Sequence, residues 1–197
     1  MAERDVYIVD YRRTAFSRSR PAQPERDVFN SIQADENWTY GGRHPVFLAG
    51  MPFNIPSMSL DRACSSSLNA VTIGAMEIMT GNSEVVLAGG MEHMTHVPLS
   101  NNPHVKPSMR LLVRPEYMKY QMNISYNMLA TAEKLADLRG ITREEMDKYS
   151  YESHKLAAKA QDDGFFKGEI LPVEVEYEGK NMVVDTDQAV RRDATLE

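Results

Sequence analysis

The spacing of apolar residues along this chain switches between short unbroken runs, alternation and helical period. Val6-Tyr-Ile-Val-Asp10 is an apolar run that predicts a buried strand. The polar stretch RRTAFSRSRPAQPERD after it carries two prolines and predicts a loop. QADENWTYGGRHP, residues 33–45, is rich in turn formers. It leads into VFLAGMPFNIP, where Gly50 and Pro52 mark the end of a short helix. Ser57 to Ala63 alternates as a strand does. From Ser65 onward Leu68, Val71, Ala75, Met76 and Met79 recur at helical spacing, and Gly81-Asn82 stops the run. SEVVLAGG, residues 83–90, predicts a second buried strand closed by paired glycines. Strand, helix and strand within residues 57–90 make a βαβ unit, which predicts a parallel sheet and the α/β class.

Residues 91–130 show no period and hold the dispersed Pro98, Pro103, Pro107 and Pro115. Two helices follow. TAEKLADLRG ends on Gly140, and ITREEMDKYSYESHKLAAKAQ opens with Thr142 and Glu145 in capping-box spacing. EILPVEVEYEGKNMVVD predicts two strands around an EGKN turn. There is no internal repeat, low-complexity tract or heptad seam.

With 197 residues, 42% hydrophobic and 25% charged, the chain has ordinary globular composition and suits one domain with an insertion. A net charge of -6 without a Lys/Arg cluster argues against a nucleic-acid binder. The arginines between Arg12 and Arg20 belong to a solvated loop. One cysteine excludes an internal disulfide framework and a Cys-rich zinc site. The N-terminus lacks the apolar core of a secretory signal, and no apolar run approaches the roughly 20 residues that span a bilayer. A soluble cytoplasmic protein is the expectation. Thirteen methionines, mostly at helical spacing, predict core filling.

The single cysteine, Cys64, stands in SMSLDRACSSSLNAV, residues 57–71, where a strand pattern gives way to a helix pattern. Free cysteine is among the most buried residue types, so a small core residue is one reading. The other is a nucleophile. At a strand-to-helix turn, unpartnered N–H groups and the positive end of the helix dipole stabilise a thiolate. The same N–H groups would hold an oxyanion developing on a thioester carbonyl. Ser65, Ser66 and Ser67 supply the helix cap. Local sequence leaves both readings standing.

DRACSSSLNAV followed by MEIMTGNSEVVLAGGMEHMTHVP resembles the nucleophile helix and next strand of thiolases. The EHM-x-HVP variant is most similar to the β-oxidation 3-ketoacyl-CoA thiolases, including thiolase subunits of trifunctional complexes. VYIVDYRRTAF resembles the opening strand, GITREEMDKYSYESHKLAAKAQDDGFFKGEILPV the loop-domain helices, and VRRDATLE the return to the core. The resemblance implies half of a three-layer α/β/α fold on a mostly parallel five-stranded sheet. Residues 1–97 with the return segment 172–197 would form its core, and residues 98–171 an inserted helical loop domain. It implies that Cys64 takes the acyl group from a 3-ketoacyl-CoA and that Met128, in NMLATAE, lines the acyl pocket; core packing is the alternative for Met128. CoA and acyl-CoA would be substrates, with no permanently bound cofactor. A homodimer or larger oligomer, a C-terminal-half polypeptide or a β-oxidation complex subunit would be partners.

Three departures qualify that expectation. The chain stops at TLE, about halfway through a thiolase, before the GHP histidine, the CxG cysteine and the NEAF asparagine. His44, His93, His96, His104 and His154 do not fit the missing histidine's role. Between Ile32 and Gln33 the family carries a further helix and strand. After the pocket methionine the family has glycine, where this chain has Leu129 and Ala130. Two other readings follow: a catalytically inert half-domain retained for dimerisation, and a Cys-dependent thioester hydrolase. His93-x-x-His96 beside Glu92 lacks a third ligand, so no metal is expected. Gly89-Gly90 is a strand exit and not a phosphate loop.

Overall fold

A computed structural model describes residues 4–31, 41–98 and 108–196. His104 and the Ile32–Gln33 junction lie outside the described residues. The helices are α1 (Arg43–Leu48), α2 (Ser66–Thr80), α3 (Met109–Val113), α4 (Met122–Ser125), α5 (Met128–Arg139) and α6 (Arg143–Asp162). Strands β1 (Val173–Tyr177) and β2 (Lys180–Val184) pair as a hairpin. Contacts divide the chain into two units. The first comprises Met1–Arg12, Ser19–Val97 and Glu174–Val183, the second Arg13–Arg18, Pro98–Val173 and Val184–Glu197.

Local signals are answered closely. Gly81, at φ 81°, and Gly140, at φ 64°, end α2 and α5 in the left-handed conformation. In each case the next N–H reaches back, from Asn82 to Glu77 O and from Ile141 to Ala136 O, both at 3.0 Å. Both bonds of the α6 capping box form: Glu145 N–H to Thr142 Oγ1 at 3.2 Å and Thr142 N–H to Glu145 Oε2 at 2.8 Å. The hairpin turns on Glu178 and Gly179, both at positive φ (50° and 70°), as a type I′ turn requires.

The first unit departs from expectation. Among the described residues the only sheet is the β1–β2 hairpin, and neither Val6–Asp10, Ser57–Ala63 nor 83–90 forms a strand ladder. The two predicted buried strands are instead open to water. Val9 is 91% exposed, Val85 85% and Leu87 84%. A parallel strand needs a backbone partner alongside it before its apolar faces can be covered. The helix–strand half of the βαβ unit is nevertheless packed. Gly74 on α2 is buried, and a Cβ there would come within 2.8 Å of Val86 Cγ1.

Among the described residues the buried apolar ones are few and small: Ala15, Val28, Val46, Ala136, Val175 and Val184. The methionines do not join them. Met58, Met76, Met109 and Met118 are exposed and fill no core.

The second unit is organised around Arg13. Its guanidinium makes paired bonds to Asp187 (Nη1 to Oδ1 2.7 Å, Nη2 to Oδ2 2.9 Å), and its Nε bonds to Glu169 at 2.8 Å. It lies over the rings of Phe16 at 4.6 Å and Phe166 at 5.5 Å. Backbone bonds from Arg13 N–H to Glu169 O (2.9 Å) and from Leu171 N–H to Arg13 O (2.8 Å) stitch the same segments. Burial disfavours the Asp187 carboxylate. The bonds from Arg13 and from Phe16 N–H outweigh it and hold the carboxyl below its ordinary value of 3.8. A depressed folded value means stability that is present above the ordinary carboxylate range and lost as pH falls through the folded value.

Two outcomes are expected. Asp187→Asn lowers the unfolding free energy of this unit by about 1–2 kcal/mol at neutral pH and flattens the stability loss below pH 3.8, read by denaturant titration across pH. Gly74→Val destabilises the first unit by about 1–3 kcal/mol, and Val86→Ala in the same chain recovers part of the loss.

Candidate active site

Cys64 is exposed, and its thiol has no hydrogen-bond partner among the described residues. The buried-filler reading therefore does not hold for this structure. Its surroundings are set by the turn that feeds α2. Ala63, immediately before it, sits at φ +48°, a left-handed conformation that alanine adopts at a cost of roughly 1–2 kcal/mol. Ala63 N–H donates to Asp61 Oδ1 at 2.8 Å. Ser66 Oγ accepts from Arg62 N–H at 2.8 Å and donates to Ala63 O at 2.7 Å. Arg62 Nη1 reaches forward to Asn69 Oδ1 at 2.9 Å, tying the turn to the helix face.

The serine cap differs from expectation. Ser65 occupies the N-cap position, but its side chain makes no capping bond, and Ser66 turns backward to the loop. The first intrahelical bond runs from Asn69 N–H to Ser65 O at 2.9 Å. Ser67 and Leu68 N–H consequently have no acceptor among the described residues. Donors freed in this way, beside an exposed thiol, suit the oxygen of an attacked carbonyl. Gly90 approaches this end of α2, where a Cβ would lie 3.2 Å from Ser67 Oγ. The glycine thus permits close approach.

No histidine among the described residues bonds to Cys64. His93 Nε2 lies 3.1 Å from Phe29 O, and His96 Nε2 lies 3.1 Å from Asn30 Oδ1. Their rings stack at 3.8 Å with 8° between planes. Imidazole lone pairs lie in the ring plane, so parallel stacked rings aim past one another and cannot converge on one ion. Among the described residues no group of three or more His, Cys, Asp or Glu is placed to hold a metal. His154 Nδ1 accepts from Arg191 N–H at 3.2 Å in the second unit.

Met128 is the first residue of α5 and is 57% exposed, so it is not core filling. Asn127 caps that helix, accepting from Leu129 N–H at 3.1 Å and Ala130 N–H at 3.2 Å. Cys64 and Met128 belong to different units. The sequence reading missed the roles of Asp61, Ala63 and Ser66. The signal for Asp61 was present, since an aspartate two residues before a turn amide is a common local acceptor.

The described elements are those of a mixed α/β protein with its one cysteine exposed at the entry of a helix, where cysteine nucleophiles are commonly held. Residues 27–197 match the thiolase N-terminal domain, and the chain belongs to the thiolase family. It is 38% identical to a 3-ketoacyl-CoA thiolase of Vibrio vulnificus over 156 residues, 79% of this chain and 38% of the relative. It is 36% identical to that of Marinobacter nauticus over 179 residues, 90% of this chain and 44% of the relative. With an Acinetobacter baumannii 3-ketoacyl-CoA thiolase the match is 31% over 228 residues, covering 98% of this chain and 55% of the relative. Those 228 positions exceed the chain's 197 residues by 31, so within the match the relative carries residues that have no counterpart in this chain.

Among solved structures, human mitochondrial 3-ketoacyl-CoA thiolase superposes with a TM-score of 0.65 at 28% identity, over 84% of this chain and 43% of that one. The Bacillus anthracis acetyl-CoA acetyltransferase gives 0.61 at 30% identity, over 84% and 43%. A human mitochondrial thiolase structure in complex with CoA gives 0.62 at 28%, over 84% and 42%. The chain thus spans about half or less of the length of these relatives.

The turn makes its own prediction. Ala63→Gly is neutral or stabilises by up to about 1 kcal/mol, whereas Ala63→Val, β-branched at positive φ, destabilises by more than about 1 kcal/mol. Thermal unfolding of the two variants reads the difference.

Proposed function

We propose that this chain is the nucleophile-bearing half of an acyltransferase of the thiolase class. The observation that carries the proposal is the exposed Cys64 at the entry of α2 beside the unbonded Ser67 and Leu68 N–H groups, in a chain of this family. In the proposed reaction the Cys64 thiolate attacks the 3-keto carbon of a 3-ketoacyl-CoA. The C2–C3 bond breaks, C2 takes a proton from a general acid, and acetyl-CoA leaves. The thiol of a second CoA, deprotonated by a base, then attacks the acyl-cysteine thioester and releases acyl-CoA with Cys64 regenerated. Run backward, the same steps are a Claisen condensation. One difficult cleavage becomes two easier transfers.

CoA and acyl-CoA are substrates in this scheme, and no resident cofactor is required. The base and the acid come from a second polypeptide half or a longer protein, since no described histidine reaches Cys64. Met128 would line the acyl side of the completed site, and residues 98–171 would act as its loop domain. The same missing base disfavours an independent thioester hydrolase. It supports, as the second reading, an inert half-domain retained for dimerisation.

Intact-protein mass after incubation with acetoacetyl-CoA tests the reading, beside a Cys64→Ser control. The expected result is one acetyl group on the unsubstituted chain, formed slowly alone and faster when a polypeptide carrying the family's second half is added. Absence of a Cys64-dependent adduct even with that half present would sink it.

A further inference from the structure

We infer that Ser66 is a positioning residue for Cys64, acting through the strained peptide that precedes the thiol. This rests on the reading of Cys64 as the nucleophile and assigns a task to a side chain expected only to cap α2. Ser66 does not cap. Its hydroxyl accepts from Arg62 N–H at 2.8 Å and donates its single proton to Ala63 O at 2.7 Å; Asp61 Oδ1, at 3.5 Å, is the weaker competitor for that proton. Ser66 N–H also reaches Ala63 O, at 3.0 Å. The Ser66 hydroxyl therefore bridges the Asp61–Arg62 peptide and the Ala63–Cys64 peptide, clamping Arg62 and Ala63 between them.

Ala63 is one of three non-glycine residues at positive φ among the described residues, the others being Gln121 and Glu178. Glu178 belongs to a hairpin turn that demands its conformation. Ala63 is held there by Ser66, which ties its carbonyl to Arg62 N–H, and by Asp61 at its N–H. A strained residue persists only where its surroundings over-determine it. The bonds span residues 62 to 66, so Cys64 lies inside a closed loop and its backbone cannot turn without breaking them. Removing the hydroxyl takes away two of these bonds. Two remain, Ser66 N–H to Ala63 O and Ala63 N–H to Asp61 Oδ1, and against this reduced hold Ala63 relaxes toward negative φ, which swings Cys64 away from the first turn of α2. The thiol loses the helix-end field and the neighbouring Ser67 and Leu68 N–H groups.

Cys64 is the chain's only cysteine, so the rate of alkylation by iodoacetamide, followed by intact mass, reports on it alone. Measurements are made well below the unfolding transition of each variant, with folding checked by circular dichroism. Ser66→Ala is expected to slow alkylation at neutral pH about three- to five-fold, the size of a helix-end effect on a thiolate. Ser66→Thr, which keeps the hydroxyl, is expected to restore the rate. Alkylation of Ser66→Ala at the unsubstituted rate overturns the inference, as does a Ser66→Thr variant as slow as the alanine one. Iodoacetamide needs no acyl chemistry, so the two readings separate. Ser66-dependent alkylation in a chain that takes no acetyl group supports the positioning role and fails the acyl-transfer proposal. Acetyl transfer with Ser66-independent alkylation does the reverse.

Discussion

A β-strand satisfies its backbone only through neighbouring strands, and an apolar strand leaves water only when both its faces are then covered. This constraint governs the first unit. Val6–Asp10 and residues 83–90 have the composition of interior strands, yet they form no ladder among the described residues and leave Val9, Val85 and Leu87 in solvent. Most of what depends only on near neighbours in sequence is nonetheless in place, the serine cap of α2 excepted. Helix α2 begins and ends where its residues dictate, and Gly74 admits Val86 against it. The unit has the local half of a βαβ arrangement without the non-local half, and the exposure of Val9, Val85 and Leu87 follows from that.

The second unit meets the same need by polar means. Arg13 is distant in sequence from Glu169 and Asp187, yet one guanidinium satisfies both carboxylates and rests on two aromatic rings. Half-buried ion pairs stabilise little when isolated, but here backbone bonds fix the same segments, so little side-chain freedom remains to be lost. A planar fork with five donors suits this position, and lysine could not replace it.

What was legible in the sequence divides along the same line. The Thr142–Glu145 capping box and the Gly81 and Gly140 stops are encoded within a few residues and found where expected, and the EGKN turn closes more tightly, on Glu178-Gly179, with Lys180 and Asn181 taken into β2. The parallel sheet was inferred from apolar runs whose outcome depends on partners far along the chain. Composition shows that a segment would prefer burial, and cannot show that a partner is available. The methionines repeat the point: helical spacing placed them on faces, but nothing local said that those faces would be covered. At the site, local pattern left Cys64 between core filler and nucleophile, and only the resemblance to thiolases favoured the second. The Asp61, Ala63 and Ser66 arrangement escaped because three serines in a row read as a helix cap, and only the backbone shows which way Ser66 turns.

The exposed strands and the unassisted thiol are connected by dielectric. Hydrogen-bond donors aimed at a developing oxyanion are worth little in water, which competes for the same oxygen, and far more once water is excluded. In the proposed reading Ser67 and Leu68 N–H are the oxyanion donors, and in an open first turn their advantage over solvent is small. Chain segments that paired with 83–90 and covered Val85 and Leu87 would lie along the apolar run to Gly90, which comes close to Ser67 at the head of α2. Pairing there would therefore also dry the mouth of the proposed site. In the proposed reading, a second half that supplied a base without covering these strands would leave the oxyanion donors competing with water. One that covered them without a base would leave the thiol unactivated. Packing and chemistry are then two demands on one surface, the run along 83–90 that no described strand pairs.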